Sequence, residues 1–304
     1  MKLSVEFPSV AFREGPEKVR EMAIAIESIG YDEIAVFDHV VMGHPTETRP
    51  APMYPPKMPI LEAIVMMATI AAVTEHVGIS TEVLILPQRQ PTLVAKQIAT
   101  IDTMSGGRVR LGVGVGWQES EYDALEQDFT NRGKRMDEAI DLMRAWWRDD
   151  PVDFDGAHYA VTAMAMEPKP PQEGGLPVWI GGSSRAALRR VGERGDGWMG
   201  AAMGSDDKIR QAIDDIRRYT DESGRDPDQI GLQLMLAPPP QDEAGKRFYA
   251  DHDGVVRRAE EIQAMGFEWA AINATAIFQA GARNVDAMID ELGRVHDKLR
   301  SALG

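Results

Sequence analysis

The chain has 304 residues, 43% hydrophobic and 27% charged, which is enough apolar material for a large core and excludes a disordered or collagen-like protein. Its 33 basic and 48 acidic side chains leave a formal charge of −15, so non-specific binding to nucleic acid or anionic membrane is excluded and any anionic ligand must be gripped locally. The absence of cysteine removes disulfides, thiol nucleophiles and thiolate metal sites. No signal peptide is visible in residues 1–7, and no apolar run reaches about 18 residues, the length a membrane span needs. A reducing cytoplasm is compatible with this composition and is the expected location.

In chain order, Leu3, Val5 and Phe7 alternate in a first strand over 2–7. Pro16 suits the first turn of a helix ending near Ile29, with Gly30 just beyond it. Residues 33–37 read as a second strand. The next segment carries six prolines between His39 and Pro59, so residues 39–59 read as an ordered loop. A helix over 60–74, a third strand over 77–86, a helix over 91–104 stopped by Ser105-Gly106-Gly107, and a fourth strand over 109–115 follow. After a helix over 131–148, a second insertion at 150–175 contains an Asp155-Gly156 hairpin signal. Strands over 178–180, 197–199, 230–236 and 269–273 then alternate with helices over 184–193, 206–223, 255–265 and 284–303.

Eight strands alternating with eight helices imply parallel pairing, and eight units favour a closed (β/α)8 barrel over an open sheet. The expectation is a single α/β barrel domain over 1–304, with insertions at 39–59 and 150–175. The first insertion follows a strand's C-terminal end, the face where barrel enzymes do chemistry.

Three segments have the chemistry for a site. Asp38-His39 follows the apolar strand directly; imidazole suits proton transfer near neutral pH, and the adjacent carboxylate can orient it or bind a ligand. Gly112, Gly114 and Gly116 end the fourth strand but lack the G-x-G-x-x-G spacing of a dinucleotide fingerprint, so they serve close approach by a flat ligand or a bulky neighbour. Gly181-Gly182-Ser183-Ser184-Arg185 opens a helix, where free amides make an anion site, and Arg189 and Arg190 add local positive charge. The six histidines show no metal-ligand spacing, there is no G-x-S-x-G nucleophile elbow, and no metal is expected.

The segments Thr81 to Pro91, Ala95-Lys96-Gln97, Ser105 to Arg108, Gly112 to Trp117, Glu121-Tyr122, Pro177 to Gly182 and Gly195 to Trp198 together resemble the bacterial luciferase-like oxidoreductase superfamily. The likeness runs from Lys2 to about Met199. Asp38-His39-Val40-Val41 before a Pro/Tyr-rich loop resembles its F420-dependent branch. The resemblance implies an F420-dependent oxidoreductase that passes a hydride between the deazaflavin and a small organic substrate. Its alternatives are an FMN-dependent monooxygenase using reduced flavin and oxygen, and a non-catalytic cofactor-binding protein.

Catalytic roles carry over to His39 and Asp38. Cofactor contacts carry over to Asp38, Glu82, Val83, Ile85, Val115, Gly116, Ser120, Gly181, Gly182, Ser183 and Arg185, with a cis peptide expected at Glu82–Val83. Tyr54 and Trp117 are the substrate contacts. The sugar-phosphate dehydrogenases of that branch place a catalytic Glu where this chain has Trp117, so a sugar phosphate is not expected. A homodimer is implied, with no interface residues specified.

Overall fold

A computed structural model describes residues 1–201, 205–237, 245 and 247–303. Eight parallel staves close into a cylinder: β1 (Lys2–Glu6), β2 (Glu33–Val36), a third stave split into β3 (Gly78–Thr81) and β4 (Leu84–Ile85), β5 (Val109–Gly114), β8 (Val178–Gly181), β9 (Gly197–Gly200), β10 (Gly231–Met235) and β11 (Trp269–Asn273). β1 pairs with both β2 and β11, and pairing of β3 and β4 with β5 closes the ring. The expected barrel is therefore the observed one.

The helices outside it are α1 (Pro16–Ile29), α2 (Ala63–Val73), α3 (Pro91–Ser105), α4 (Glu119–Ala124), α5 (Arg132–Arg148), α6 (Arg185–Arg194), α7 (Asp206–Glu222), α8 (His252–Ala264), α9 (Ala274–Ala280) and α10 (Val285–Leu303). Pro16 sits at the first turn of α1 and Gly30 caps it in the left-handed conformation, as the sequence indicates. β6 (Val152–Asp155) and β7 (Ala160–Met164) form the hairpin of the second insertion. Its Asp155-Gly156 turn is held by Glu138 of α5, whose carboxylate accepts the amides of Ala157, His158 and Tyr159.

Three expectations need correction. The third strand is not continuous over 77–86: it breaks at Glu82–Val83, where the peptide is cis, as the family likeness implied. The helix expected from residue 60 starts at Ala63, because Glu62 is its N-cap and accepts the Val65 amide. The short helices α4 and α9 were not expected at all.

Each stave has two faces with different chemistry. Leu3, Val5, Ile34, Val36, Ile79, Leu111, Val113, Ile180, Leu234 and Ile272 belong to one apolar cluster with Met22, Ile26, Met67, Ile98, Met143 and Leu292 of the helices. Burying each such side chain contributes about 1.5–3 kcal/mol. The lumen, by contrast, is polar. Glu33 accepts hydrogen bonds from Ser4 (3.1 Å) and Ser80 (2.7 Å) and pairs with Arg110, which also donates to Gln233. The Arg110 guanidinium lies 4.1 Å from the ring centres of both Trp179 and Trp269. Gly197 and Gly231 leave room for Trp179, since a Cβ on either would collide with its indole.

Candidate active site

The loop 37–62 crosses the C-terminal ends of the staves without helix or strand, and the sequence-marked residues gather beneath it. His39 is buried just past β2. Its Nδ1 lies 2.9 Å from Glu121 Oε2, and neither side chain is appreciably exposed. The other oxygen of Glu121 accepts the amides of Val40 (2.5 Å) and Val41 (3.3 Å). Burial alone would push Glu121 up, but hydrogen bonds with His39 and the Val40 amide hold its carboxyl below the usual range. Gln118 fixes the same stretch by donating to the Val41 carbonyl and accepting from the Gly43 amide. Thus α4 clamps the start of the loop and fixes the imidazole by Nδ1, leaving Nε2 without a hydrogen bond among the described residues.

Asp38 turns the other way. Its carboxylate takes both terminal nitrogens of Arg89 (2.9 Å each) and the Ile85 amide (2.8 Å). Arg89 continues to Glu62 (3.1 Å). Burial raises the Asp38 pKa, and Arg89 and the Ile85 amide only partly reverse that. Asp38 therefore ties β2 to β4 and, through Arg89, to the start of α2.

Tyr54 and Trp117 do meet His39. The His39 ring is 5.3 Å from Trp117 and 5.9 Å from Tyr54, edge to face, and Phe37 completes the cluster at 5.2 Å from His39. Trp117 is 39% exposed and borders a cavity of about 520 Å³ lined also by Arg49, Pro52, Met53, Ser120 and Asp123.

The glycines ending β5 have a packing explanation. A Cβ on Gly114 would lie 2.6 Å from Val83, one on Gly181 2.8 Å from Val83, and one on Gly116 2.7 Å from Ile85. These glycines make room for the bulged third stave, which turns Val83 inward between β5 and β8.

At the next stave, Gly182 adopts a positive φ of 107° and its carbonyl accepts from Trp198. Ser184 caps α6 by accepting the Ala187 amide, while Gly182, Ser183, Ser184 and Arg185 are exposed. The first turn of α6, whose Ala187 amide Ser184 already satisfies, thus begins among exposed residues with the helix dipole behind them. The charge available there is smaller than the sequence suggests. Arg190 is buried against Asp137 and the Gly133 carbonyl, and Arg185 contacts the Tyr219 hydroxyl.

Beneath the mouth lie two further carboxylates. Glu6, the last residue of β1, is raised to about 8 by burial and by Glu82. Glu82, at the bulge, is raised to about 7 by burial, against the opposing pull of Gln233 and Arg110. Among the described residues no group of three or more His, Asp or Glu is placed to hold a metal ion, and no helix is long and apolar enough to cross a membrane.

The family model for luciferase-like monooxygenases matches residues 5–286. The chain belongs to this family. An uncharacterised protein of Mycobacterium bovis is 34% identical over 212 residues, 67% of this chain and 72% of that one. An F420-dependent glucose-6-phosphate dehydrogenase of Nocardia farcinica is 32% identical over 207 residues, 65% of this chain and 56% of its own length. An FMNH2-dependent dimethylsulfone monooxygenase of Pseudomonas putida is 28% identical over 246 residues, 80% of this chain and 66% of its own. Among solved structures, an F420-dependent secondary alcohol dehydrogenase superposes with a TM-score of 0.79 at 21% identity, covering 98% of this chain and 99% of that one, which attests the shared fold. The chain is an oxidoreductase of this family.

Sequence reasoning missed Glu121, Arg89, Gln118 and Glu6. The resemblance set the catalytic Glu of the sugar-phosphate dehydrogenases against Trp117 and counted it as a departure, whereas the carboxylate that pairs with His39 stands four positions later, in the first turn of α4.

Proposed function

We propose that the protein is an F420-dependent oxidoreductase acting on a small organic substrate held under the 37–62 loop. The observation that carries this reading is the buried His39–Glu121 pair at the C-terminal mouth, beside the bulged third stave and next to Tyr54 and Trp117. The F420-dependent relative from Nocardia farcinica supports the choice of cofactor.

The residues present fit an anionic, flat cofactor. The exposed amides of Gly182 and Ser183 and the first turn of α6 suit a phosphate within a protein of net charge −15. Val83, Ile85, Val115 and Gly116 would border the ring, and Arg185 and Ser120 are the remaining contacts proposed. When bound, the deazaflavin supplies a hydride acceptor or donor. His39 holds or releases the substrate proton at Nε2, while Glu121 fixes its tautomer from Nδ1 and compensates positive charge as it forms. Asp38 acts by anchoring the residue next to His39 to the rest of the mouth. Tyr54 and Trp117 cover the reacting groups and exclude water.

Titration of the purified protein with F420, read by cofactor fluorescence, tests this. Saturation at or below tens of micromolar is expected, the range of common KM values, and absence of binding overturns it. The Pseudomonas putida relative keeps a second reading open: protein that is yellow as purified and releases FMN on denaturation would be a flavin monooxygenase instead.

A homodimer and a cytoplasmic location are part of the same proposal. On α2, Val65 is 64% exposed and Ala68 and Ala72 share its face; on α3, Leu93 and Met104 are also exposed. An apolar outer surface on neighbouring helices suits burial against a second copy. Val65→Glu is expected to shift the mass in light scattering from dimer to monomer.

A further inference from the structure

The two carboxylates on the floor of the mouth have a use that the His39–Glu121 pair does not account for. Glu6 and Glu82 each stand two residues beyond a serine, Ser4 and Ser80, and both serines donate to the same Glu33 oxygen. That shared contact sets β1 and β3 at one level, and Glu6 and Glu82, each two residues further along, lie near enough for the charge of Glu82 to act on Glu6.

Glu6 is 5% exposed and makes no hydrogen bond or ion pair among the described residues. Glu82 Oε2 is shielded from solvent and has no hydrogen-bond partner of good geometry. The groups that face the two are Tyr54 from the loop, Tyr249 before α8, Gln233 from β10 and Asn273 from β11, with Glu33 and Arg110 below. Arg110, the cation acting on Glu82, gives Nε and Nη2 to Glu33 and Gln233, while its Nη1 is buried without a hydrogen bond among the described residues. Burial raises both carboxyls, and repulsion from Glu82 adds to the rise on Glu6. Two carboxylates so placed, without a cation of their own among the described residues, do not both ionise near neutral pH.

We propose that Glu6 and Glu82 hold one proton between them and that this shared acid is a second polar contact for the substrate, receiving a neutral hydroxyl or carbonyl oxygen. Tyr54 links it to the first contact: its ring packs on His39, and its hydroxyl feels the charge of Glu6. A carboxylic acid beside a carboxylate both donates and accepts, so it matches an alcohol in either direction and a carbonyl by donation. A carboxylate or phosphate group would meet the remaining negative charge. The ligand class rests on the oxidoreductase reading; the shared proton does not.

The test uses the full chain without cofactor, labelled with ¹³C at the glutamate side-chain carboxyls and titrated by NMR. Glu6→Gln and Glu82→Gln assign the two resonances. One carboxyl is expected to keep its proton past neutral pH, and Glu82→Gln is expected to lower the apparent pKa of Glu6 by roughly one unit or more. Ordinary titration of both groups, or indifference of each to the loss of the other, overturns the proposal. Should one variant not fold, the wild-type curve and the other variant still read the coupling.

At neutral pH, 2-butanol is expected to move the two resonances and butanoate to leave them unchanged. An equal response to butanoate overturns the ligand class. A shared proton in a protein that binds no F420 would leave the acid pair standing and remove the F420 reading alone.

Discussion

Glu121 and the Glu6–Glu82 pair are all carboxylates taken out of water at one end of one barrel, yet they are driven in opposite directions. Glu121 meets an imidazole and two loop amides and is held below the ordinary range. Glu6 meets another carboxylate and no donor among the described residues, and is pushed well above it. Burial acts on both with the same sign. Between these acids the difference lies in which donors the neighbouring loop supplies, and the 37–62 loop supplies its amides to Glu121.

Arg89→Met strains this contrast most, because it would leave Asp38, which burial already raises, with the Ile85 amide as its one remaining partner among the described residues. Removing one member of a buried ion pair costs about 3–5 kcal/mol, and a loss of that size is expected in urea unfolding at neutral pH. A loss below about 1 kcal/mol would mean that the Asp38–Arg89 pair behaves as a surface pair does, and the contrast would weaken.

Glu121→Gln should cost less, about 1.5–3 kcal/mol, the worth of hydrogen bonds to a charged group. Its pH dependence is diagnostic. A group whose pKa is lower folded than unfolded stabilises above the unfolded value and loses that contribution as pH falls. The gap between wild type and variant should therefore be full at pH 7 and close in acid.

Glu6→Gln should have the smallest effect and the opposite sign. The folded protein holds a proton on Glu6 up to about 8, whereas the unfolded chain releases it near 4.5. Wild-type stability therefore falls as pH rises through that window. Above it the variant should be the more stable of the two, with no advantage near pH 4. Thermal melts across this range read the crossover.

Much of the architecture was legible because strand alternation and helix punctuation are local. Leu3-Val5-Phe7, Pro16 and Gly30 act within a few residues of where they are read. The third strand misled for the same reason: Thr81 to Leu86 carries no Gly or Pro to mark a break, and what permits the bulge is Gly114 and Gly181 on other staves. The site divides in the same way. His39, Tyr54 and Trp117 announced themselves by position and residue type. Glu121 did not, because its partner is 82 residues away and α4 is too short to show a period. Arg89 was hidden by a separation of 51 residues from Asp38. Arg190 was misjudged because composition counts a cation without showing that Asp137 already holds it.

Arg110, set in the corner between the nearly perpendicular rings of Trp179 and Trp269, gives the barrel an internal light source. An indole's excited state carries a larger dipole than its ground state, so a fixed cation against its face tunes the colour of emission. Any rearrangement of its partners, the Glu33 carboxylate or the Gln233 amide, would shift that colour. Trp117, open to the surface, would instead dim or brighten as something settles on it. With Trp146, Trp147 and Trp198 replaced by Phe, native fluorescence would read the interior and the entrance of this protein without a dye.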